Sequence, residues 1–142
     1  MSYTVRMLGP DDAPILNQVA PDVFDNQINP RWTAEFLTDP RHHLAVALDG
    51  ETVVGMASAV HYVHPDKAPE LWVNEVGVAP THWRQGIGRH LLHALFVRGR
   101  ELGCRLAWVG TEPDNLAARQ LYAALGGVEA PEPMVMVEFN LT

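Results

Sequence analysis

The chain has a single cysteine, Cys104, among 142 residues. That scarcity excludes an internal disulfide and a cysteine-built zinc site, and it suits a reducing compartment. Cys104 reads as a small core residue rather than a nucleophile. Long apolar runs are also missing, since none approaches the ~18 residues of a membrane span. The opening stretch Met1-Ser-Tyr-Thr-Val-Arg-Met-Leu8 lacks the basic flank and apolar centre of a signal peptide. A soluble cytoplasmic protein is expected. Positive charge is scarce as well: 10 Lys and Arg stand against 17 Asp and Glu, a formal net charge of −7. Arg98, Arg100 and Arg105 form no basic stripe, which argues against nucleic acid and favours a cationic small molecule. With 47% apolar and 19% charged residues and no repeat or long linker, residues 1–142 are expected to form one domain with a single core.

Periodicity supplies the elements. Tyr3–Met7 reads as a strand, and Gly9-Pro-Asp-Asp12 as a turn that opens a helix over Ala13–Ala20. A second helix is expected over Arg31–Leu37, stopped by Asp39-Pro40. His43–Leu48 and Thr52–Val63 are strands joined by Asp49-Gly50, a two-residue hairpin turn. Leu71–Val78 is a further strand. Ile87, Leu91 and Leu95, with Leu92 and Phe96, recur four apart until Gly103, the place of a helix C′ glycine. Leu106–Gly110 is a short strand, Asn115–Leu125 a helix ended by Gly126-Gly127, and Val135–Leu141 alternates as a last strand. The expected order is β-α-α-β-β-β-α-β-α-β, an α/β fold whose helical crossovers demand a mixed central sheet.

The stretch Val76-Gly-Val-Ala-Pro-Thr-His-Trp-Arg-Gln-Gly-Ile-Gly-Arg89 places two glycines where a strand hands over to a helix. The first turn of a helix has N–H groups without intrahelical partners, and the macrodipole adds about half a positive charge there. Gly86 and Gly88 have no β-carbons, so the amides from Arg84 to Arg89 are able to approach phosphate oxygens, with Arg84 and Arg89 adding charge. No Gly-Lys-Ser/Thr follows, so this is not a Walker loop, and the third glycine of the dinucleotide fingerprint is missing. A tight structural corner is the competing reading.

Three segments in order, Val76-Gly-Val-Ala-Pro80, Arg84-Gln-Gly-Ile-Gly-Arg-His-Leu-Leu92 and Asn115-Leu-Ala-Ala-Arg-Gln-Leu-Tyr-Ala-Ala-Leu-Gly-Gly127, resemble the GNAT superfamily of acetyl-CoA-dependent N-acetyltransferases. The motif-level match covers about Leu71 to Gly127. The resemblance implies a fourth and a fifth strand that splay apart to admit the pantetheine arm of acetyl-CoA. It also implies that main-chain groups of Val76 and Val78 align that arm, and that Arg84, Gln85, Gly86, Ile87, Gly88 and Arg89 seat the pyrophosphate. Asn115 matches the family's asparagine near the cofactor arm, although it equally suits a helix N-cap. Tyr122 matches the tyrosine that protonates the departing thiolate, a role within reach of a phenol of pKa about 10; packing on a helix face is its alternative. Trp83 stands where the family usually has Arg or Gln.

An acceptor amine must lose a proton before it attacks a thioester. Glu75, one residue before Val76, is the expected general base, with a rim or salt-bridge glutamate as the alternative. Glu70, Glu112 and Asp114 are the next candidates for that base, and all are expected to make the cleft negative. A looser similarity to GNAT-type aminoglycoside 3-N-acetyltransferases rests on Val23-Phe24-Asp25, the Asp49-Gly50 hairpin and the acidic residue before the cofactor strand. It implies an aminoglycoside acceptor, an antibiotic-resistance role and Asp25 as a substrate contact. Other amines, peptide N-termini, or a CoA-binding sensor without catalysis are the alternatives. Pairs three apart, His61/His64 and His90/His93, invite a metal, but no further ligand completes either pair in sequence, and no metal is expected. Met134 and Met136 on the last strand are candidates for a homodimer edge.

Overall fold

Alternating apolar residues along the middle of the chain build a sheet, and two glycines let a helix lie directly on it. The computed structural model describes residues 2–142. Its strands are β1 (Thr4–Met7), β2 (His42–Asp49), β3 (Thr52–Tyr62), β4 (Glu70–Val78) and β5 (Leu106–Val109), in the spatial order β1-β2-β3-β4-β5. β1 through β4 pair antiparallel, whereas β4 and β5 run parallel. The parallel pair requires a crossover, and α2 (Ile87–Glu101) supplies it. The other helices are α1 (Pro30–Thr38) and α3 (Leu116–Ala124), with short 3-10 turns at Ala13–Asn17 and Pro80–His82. The described chain forms two compact units, one ending at Gly110 and the other Thr111–Thr142. The sheet, α1 and α2 belong to the first and α3 to the second.

In the first unit α2 packs on one face of the sheet. A β-carbon on Gly55 would lie 2.8 Å from Ile87 Cγ2, and one on Gly99 would lie 3.2 Å from Leu71 Cδ2. Ile87, Leu91, Leu92 and Leu95 are consequently almost wholly buried, each contributing about 1.5–3 kcal/mol. Cross-strand neighbours share a face, so Ala45, Ala57, Ala59, Leu71 and Val73 line the α2 side. The opposite side holds α1, whose Phe36 stacks on His42 with ring centroids 5.1 Å apart. It also holds the loop that carries Val23. A β-carbon on Gly77 would sit 2.2 Å from the Val23 carbonyl oxygen, so only glycine admits this close approach of two backbones.

One irregularity re-aims β4. Its register on β3 runs Val73↔Ala59 and then Glu75↔Ser58, which leaves Asn74 as an extra residue, a β-bulge. Without the bulge Glu75 would join Leu71 and Val73 on the α2 side. With it, Glu75 and Gly77 turn to the opposite face, beneath the Val23 loop.

Three expectations change. Val135–Leu141 forms no strand: the described sheet ends at β5, and residues 128–142 lie in no regular element. Alternation supplies a strand's pattern but not its partner, and an unpaired strand is unstable alone. The helix expected over Ala13–Ala20 is a 3-10 turn of five residues, Ala13–Asn17, with Leu16 its one buried residue. Pro14 denies it an early amide, and residues 18–20 leave instead to bond Val53. The hairpin turn sits one residue later than expected. Asp49 pairs with Thr52, so the turn residues are Gly50 and Glu51, and Gly50 takes the positive φ of 61°.

Candidate active site

The turn between β4 and α2 is built from two left-handed residues. Arg84 has φ 63° and Gly86 has φ 79°. The arginine conformation is uncommon outside glycine, asparagine and aspartate. Together they curl the backbone into α2, and no side chain caps the helix start. Among the described residues, the backbone N–H groups of Arg84, Gln85, Gly86, Ile87, Gly88 and Arg89 have no acceptor. Arg84 and Arg89 are exposed and lack a carboxylate partner among the described residues. Six consecutive free amides, a helix N-terminus and two guanidinium groups fit a diphosphate.

Three contacts hold this turn in shape, two of them long-range. The Tyr3 hydroxyl donates to the Gln85 carbonyl at 3.2 Å and also meets His90 Nδ1. His82 Nε2 bonds Asp49 Oδ2 at 2.8 Å, tying the Pro80–His82 turn to the β2–β3 hairpin. Trp83 Nε1–H donates to the Val78 carbonyl at 2.8 Å. The first two were not legible as site features in sequence, because the Tyr3–Gln85 and Asp49–His82 partners lie 82 and 33 residues apart. Trp83, which the motif comparison left without a role, proves to be a donor that secures the end of β4. An indole in place of Arg or Gln keeps a side-chain donor there.

Beside the turn, β4 has an open edge. Its pairing with β5 runs from Glu70↔Leu106 to Val73↔Val109 and then stops, so residues 74–78 have no β5 partner. Ala79 N–H donates to Val54 O on β3 at 2.8 Å. By antiparallel alternation the main-chain groups of Val78 and Val76 therefore point away from β3. They face the space that the departing β5 leaves, as the expected splay of fourth and fifth strands requires. Glu75 is exposed on β4 immediately before Val76. Asp25 is exposed on the loop whose Val23 lies against Gly77, so it reaches the Glu75 side of the sheet.

Glu70 stands apart from this group. It opens β4 five residues before Glu75, about 16 Å away at the strand rise, and its carboxylate lies 3.9 Å from His64 Nε2. The remaining candidates belong to the second unit. Asn115 caps α3, its Oδ1 accepting from Ala118 N–H at 3.1 Å. Tyr122 is half-buried, and burial pushes its phenol above the usual value, which keeps the proton on at neutral pH and available for donation. Glu112 and Asp114 are exposed in the loop before α3. Arg119, which sequence reasoning passed over, grips both Glu129 oxygens at 2.8 Å and the Pro113 carbonyl at 2.7 Å. It thereby anchors the loops on either side of α3. Among the described residues no three His, Cys, Asp or Glu side chains are placed to hold a metal.

Fold and turn together define a mixed-sheet α/β protein whose strand-to-helix junction suits an anion, beside a strand with a free edge. The acetyltransferase (GNAT) family pattern matches residues 13–126, and the chain belongs to that family. It is 28% identical over 93 residues to an uncharacterized N-acetyltransferase of Mycobacterium tuberculosis, covering 66% of this chain and 57% of the relative. It is 34% identical over 92 residues to the N-alpha-acetyltransferase RimI of the same species, covering 63% and 54%. The chain thus spans somewhat more than half the length of these relatives. Its fold is shared with an aminoglycoside acetyltransferase from an uncultured soil metagenomic sample, at TM-score 0.83 and 21% identity over 100% of both chains. It is shared too with AAC(6')-Iy in complex with the bisubstrate analogue CoA-S-monomethyl-acetylneamine, at TM-score 0.78 and 20% identity over 99% of both chains.

Proposed function

We propose that the protein is an acetyl-CoA-dependent N-acetyltransferase acting on a primary amine of a cationic small molecule, an aminoglycoside-like polyamine sugar acetylated at the 3-N position. The observation that carries the reading is the run of six free amides from Arg84 to Arg89 next to the open edge of β4. Family membership supports acetyl-CoA as the anion that this turn seats, and the bisubstrate complex of the structural neighbour is in keeping with it. The net charge of −7 and the carboxylates of Glu75 and Asp25 on one side of the sheet favour a cationic acceptor. An acetyl-CoA supply places such an enzyme in the cytoplasm, where acetylating an aminoglycoside would confer resistance.

In this reading Gln85 to Arg89 bind the pyrophosphate through their amides, and the Val76 and Val78 main chain orients the pantetheine arm. Glu75 takes the proton from the acceptor ammonium, directly or through water, freeing the nitrogen lone pair. As the nitrogen–carbonyl bond forms and the carbon–sulfur bond breaks, Tyr122 supplies the proton to the leaving thiolate and is reprotonated from solvent. Glu112 and Asp114 add negative charge for further ammonium groups, and Asn115 flanks the cofactor arm. Glu70, tied to His64 at the far end of β4, serves only a long substrate.

The test follows free-thiol release from acetyl-CoA with kanamycin- and gentamicin-type sugars beside polyamines, amino acids and peptides, and locates the acetyl group on the product. A reactive sugar acetylated at 3-N supports the full proposal. Turnover of a peptide alone would favour the RimI-like alternative and refute the sugar, and CoA binding with no reactive amine would point to a sensor. Glu75→Gln is expected to lower kcat/KM by at least ~100-fold, most at low pH where a base is scarce; an unchanged pH profile would remove Glu75 from the mechanism.

A further inference from the structure

His90 follows Arg89 in the first turn of α2, and in sequence it invites a metal together with His93. The fold gives it a different partner. Its Nδ1 meets the hydroxyl of Tyr3, just before β1, with the two rings tilted and their centroids 5.6 Å apart. The same hydroxyl donates to the Gln85 carbonyl at 3.2 Å. A phenol has one hydrogen to give. Because Gln85 O only accepts, Tyr3 satisfies both neighbours when His90 Nδ1 itself carries a hydrogen and donates it to the phenol oxygen. The relay then runs from Nδ1–H to Tyr3 O, and from Tyr3 O–H to Gln85 O. Gln85 C=O and Gly86 N–H belong to one planar trans peptide, in which the two bonds point in opposite directions. Tying the carbonyl to Tyr3 therefore aims the Gly86 N–H away from Tyr3, and the bond accepted at the carbonyl polarises that N–H. Glycine at this position, with φ 79°, leaves the peptide plane free to turn once the tie is lost.

We propose, on the reading of the Arg84–Arg89 turn as a diphosphate seat, that Tyr3 and His90 are positioning residues of that seat and that His90 takes up a proton when the CoA diphosphate binds. A neutral imidazole carries one hydrogen, on either nitrogen; with it on Nε2, Tyr3 turns its own hydrogen to Nδ1 and lets Gln85 go. The imidazolium has a hydrogen on both nitrogens, so the relay to Gly86 is fixed. His90 is exposed, and solvent supplies the second proton. The charges around the ring are mostly positive: Arg84 and Arg89 lie in the same turn, His93 is exposed on the next turn of α2, and no carboxylate pairs with His90 among the described residues. Asp49, opposite Tyr3 when the Thr4↔Leu48 register is continued, is held by His82. Arg6 points to the other face of β1 and pairs with Asp12. His61 and Tyr62 of β3 lie at the far end of the sheet with Glu70, and Glu75 faces the other side. A bound diphosphate brings negative charge to this turn, which attracts the imidazolium and not the neutral ring.

Calorimetry of the full chain with dephospho-CoA, in buffers of different ionisation enthalpy, counts the protons exchanged on binding. This ligand keeps the diphosphate but lacks the phosphate monoester, which itself titrates near about pH 6. The wild-type chain should take up a fraction of a proton, and its Kd should rise about five- to tenfold from about pH 6 to about pH 8. His90→Gln, at an exposed position, keeps a donor for Tyr3 but does not titrate, so the uptake should vanish and the Kd stay level with pH. Tyr3→Phe should weaken binding about five- to tenfold. In the free protein the Gly86 amide shift should follow the titration of the His90 ring, and in Tyr3→Phe it should ignore it, a readout that a general loss of stability would not mimic. Binding without proton uptake, or an uptake that His90→Gln preserves, would overturn the relay and leave the diphosphate seat standing. A Gly86 amide indifferent to His90 in the wild type would do the same. No binding of dephospho-CoA at any pH would overturn the seat and the relay together.

Discussion

The three α-helices begin in two different ways. α1 and α3 are closed by their own asparagines: Asn29 Oδ1 accepts from Trp32 N–H at 3.1 Å and Asn115 Oδ1 from Ala118 N–H at 3.1 Å. α2 begins at Gly86, in the left-handed conformation, with no side chain on its free amides. A capped start stabilises its helix by ~1 kcal/mol, so leaving the longest helix uncapped forgoes stability that a single substitution would provide. The difference teaches that α1 and α3 close their first turns with their own side chains, whereas α2 leaves its first turn open. The contacts of Tyr3, His82 and Trp83 hold that opening in shape without filling it.

Closing α2 should have the largest effect. Gly86→Asp puts an acceptor and a negative charge where the phosphates are proposed to sit, and the Kd for acetyl-CoA should rise on the order of 100-fold. Aspartate tolerates left-handed backbone at a cost of about 1 kcal/mol, so the melting temperature should fall only slightly. Equilibrium titration and thermal melts check both parts. The next effect sharpens the contrast from the side of α3, where Tyr122 is proposed to serve the chemistry. Tyr122→Phe should lower kcat roughly tenfold with little change in the KM for acetyl-CoA, read by steady-state kinetics; full turnover would remove Tyr122 as the acid. Opening α1 is the converse test. Asn29→Ala should cost about 1 kcal/mol of stability in denaturant unfolding and leave acetyl-CoA binding untouched.

A further effect concerns a pair of histidines on the sheet. His43 is buried against His61, their ring nitrogens 2.8 Å apart. Burial first, then the His61 and Arg98 charges, pushes the His43 pKa down to about 4. The unfolded chain binds that proton near pH 6.5 and the folded one only near pH 4, so the unfolded state holds more protons between these values. The contribution is fully present above pH 6.5 and is lost as pH falls towards 4. Melting temperature should drop on the order of 5 °C across that window, and His43→Gln should flatten the slope.

Much of this contrast was legible in the sequence, because glycine placement and apolar spacing are local signals. Gly86, Gly88 and the Ile87–Leu95 stripe predict an open, buried-backed helix start, and Asn115 predicts a capped one. What escaped depends on partners distant in the chain. The bulge at Asn74, which decides the face of Glu75, exists only in the register of β4 on β3. Asp49 reads as a turn residue but serves as the His82 acceptor, and the turn passes to Gly50-Glu51. Trp83 looked like a defect in a motif until its bond to Val78 was seen. Val135–Leu141 has the pattern of a strand, yet pattern alone cannot supply the strand beside it. Glu75 is the candidate base already in sequence, but its distance from Glu70 and the pairing of Glu70 with His64 come only from the structure.

Backbone amide shifts of the full chain, followed as CoA is added, test the open start of α2 most directly. The account predicts large, saturable changes at Gln85, Gly86, Ile87, Gly88 and Arg89, with the capped Trp32 amide unmoved. Saturation without movement of those five amides would contradict it and return the glycines to a mere corner of the chain.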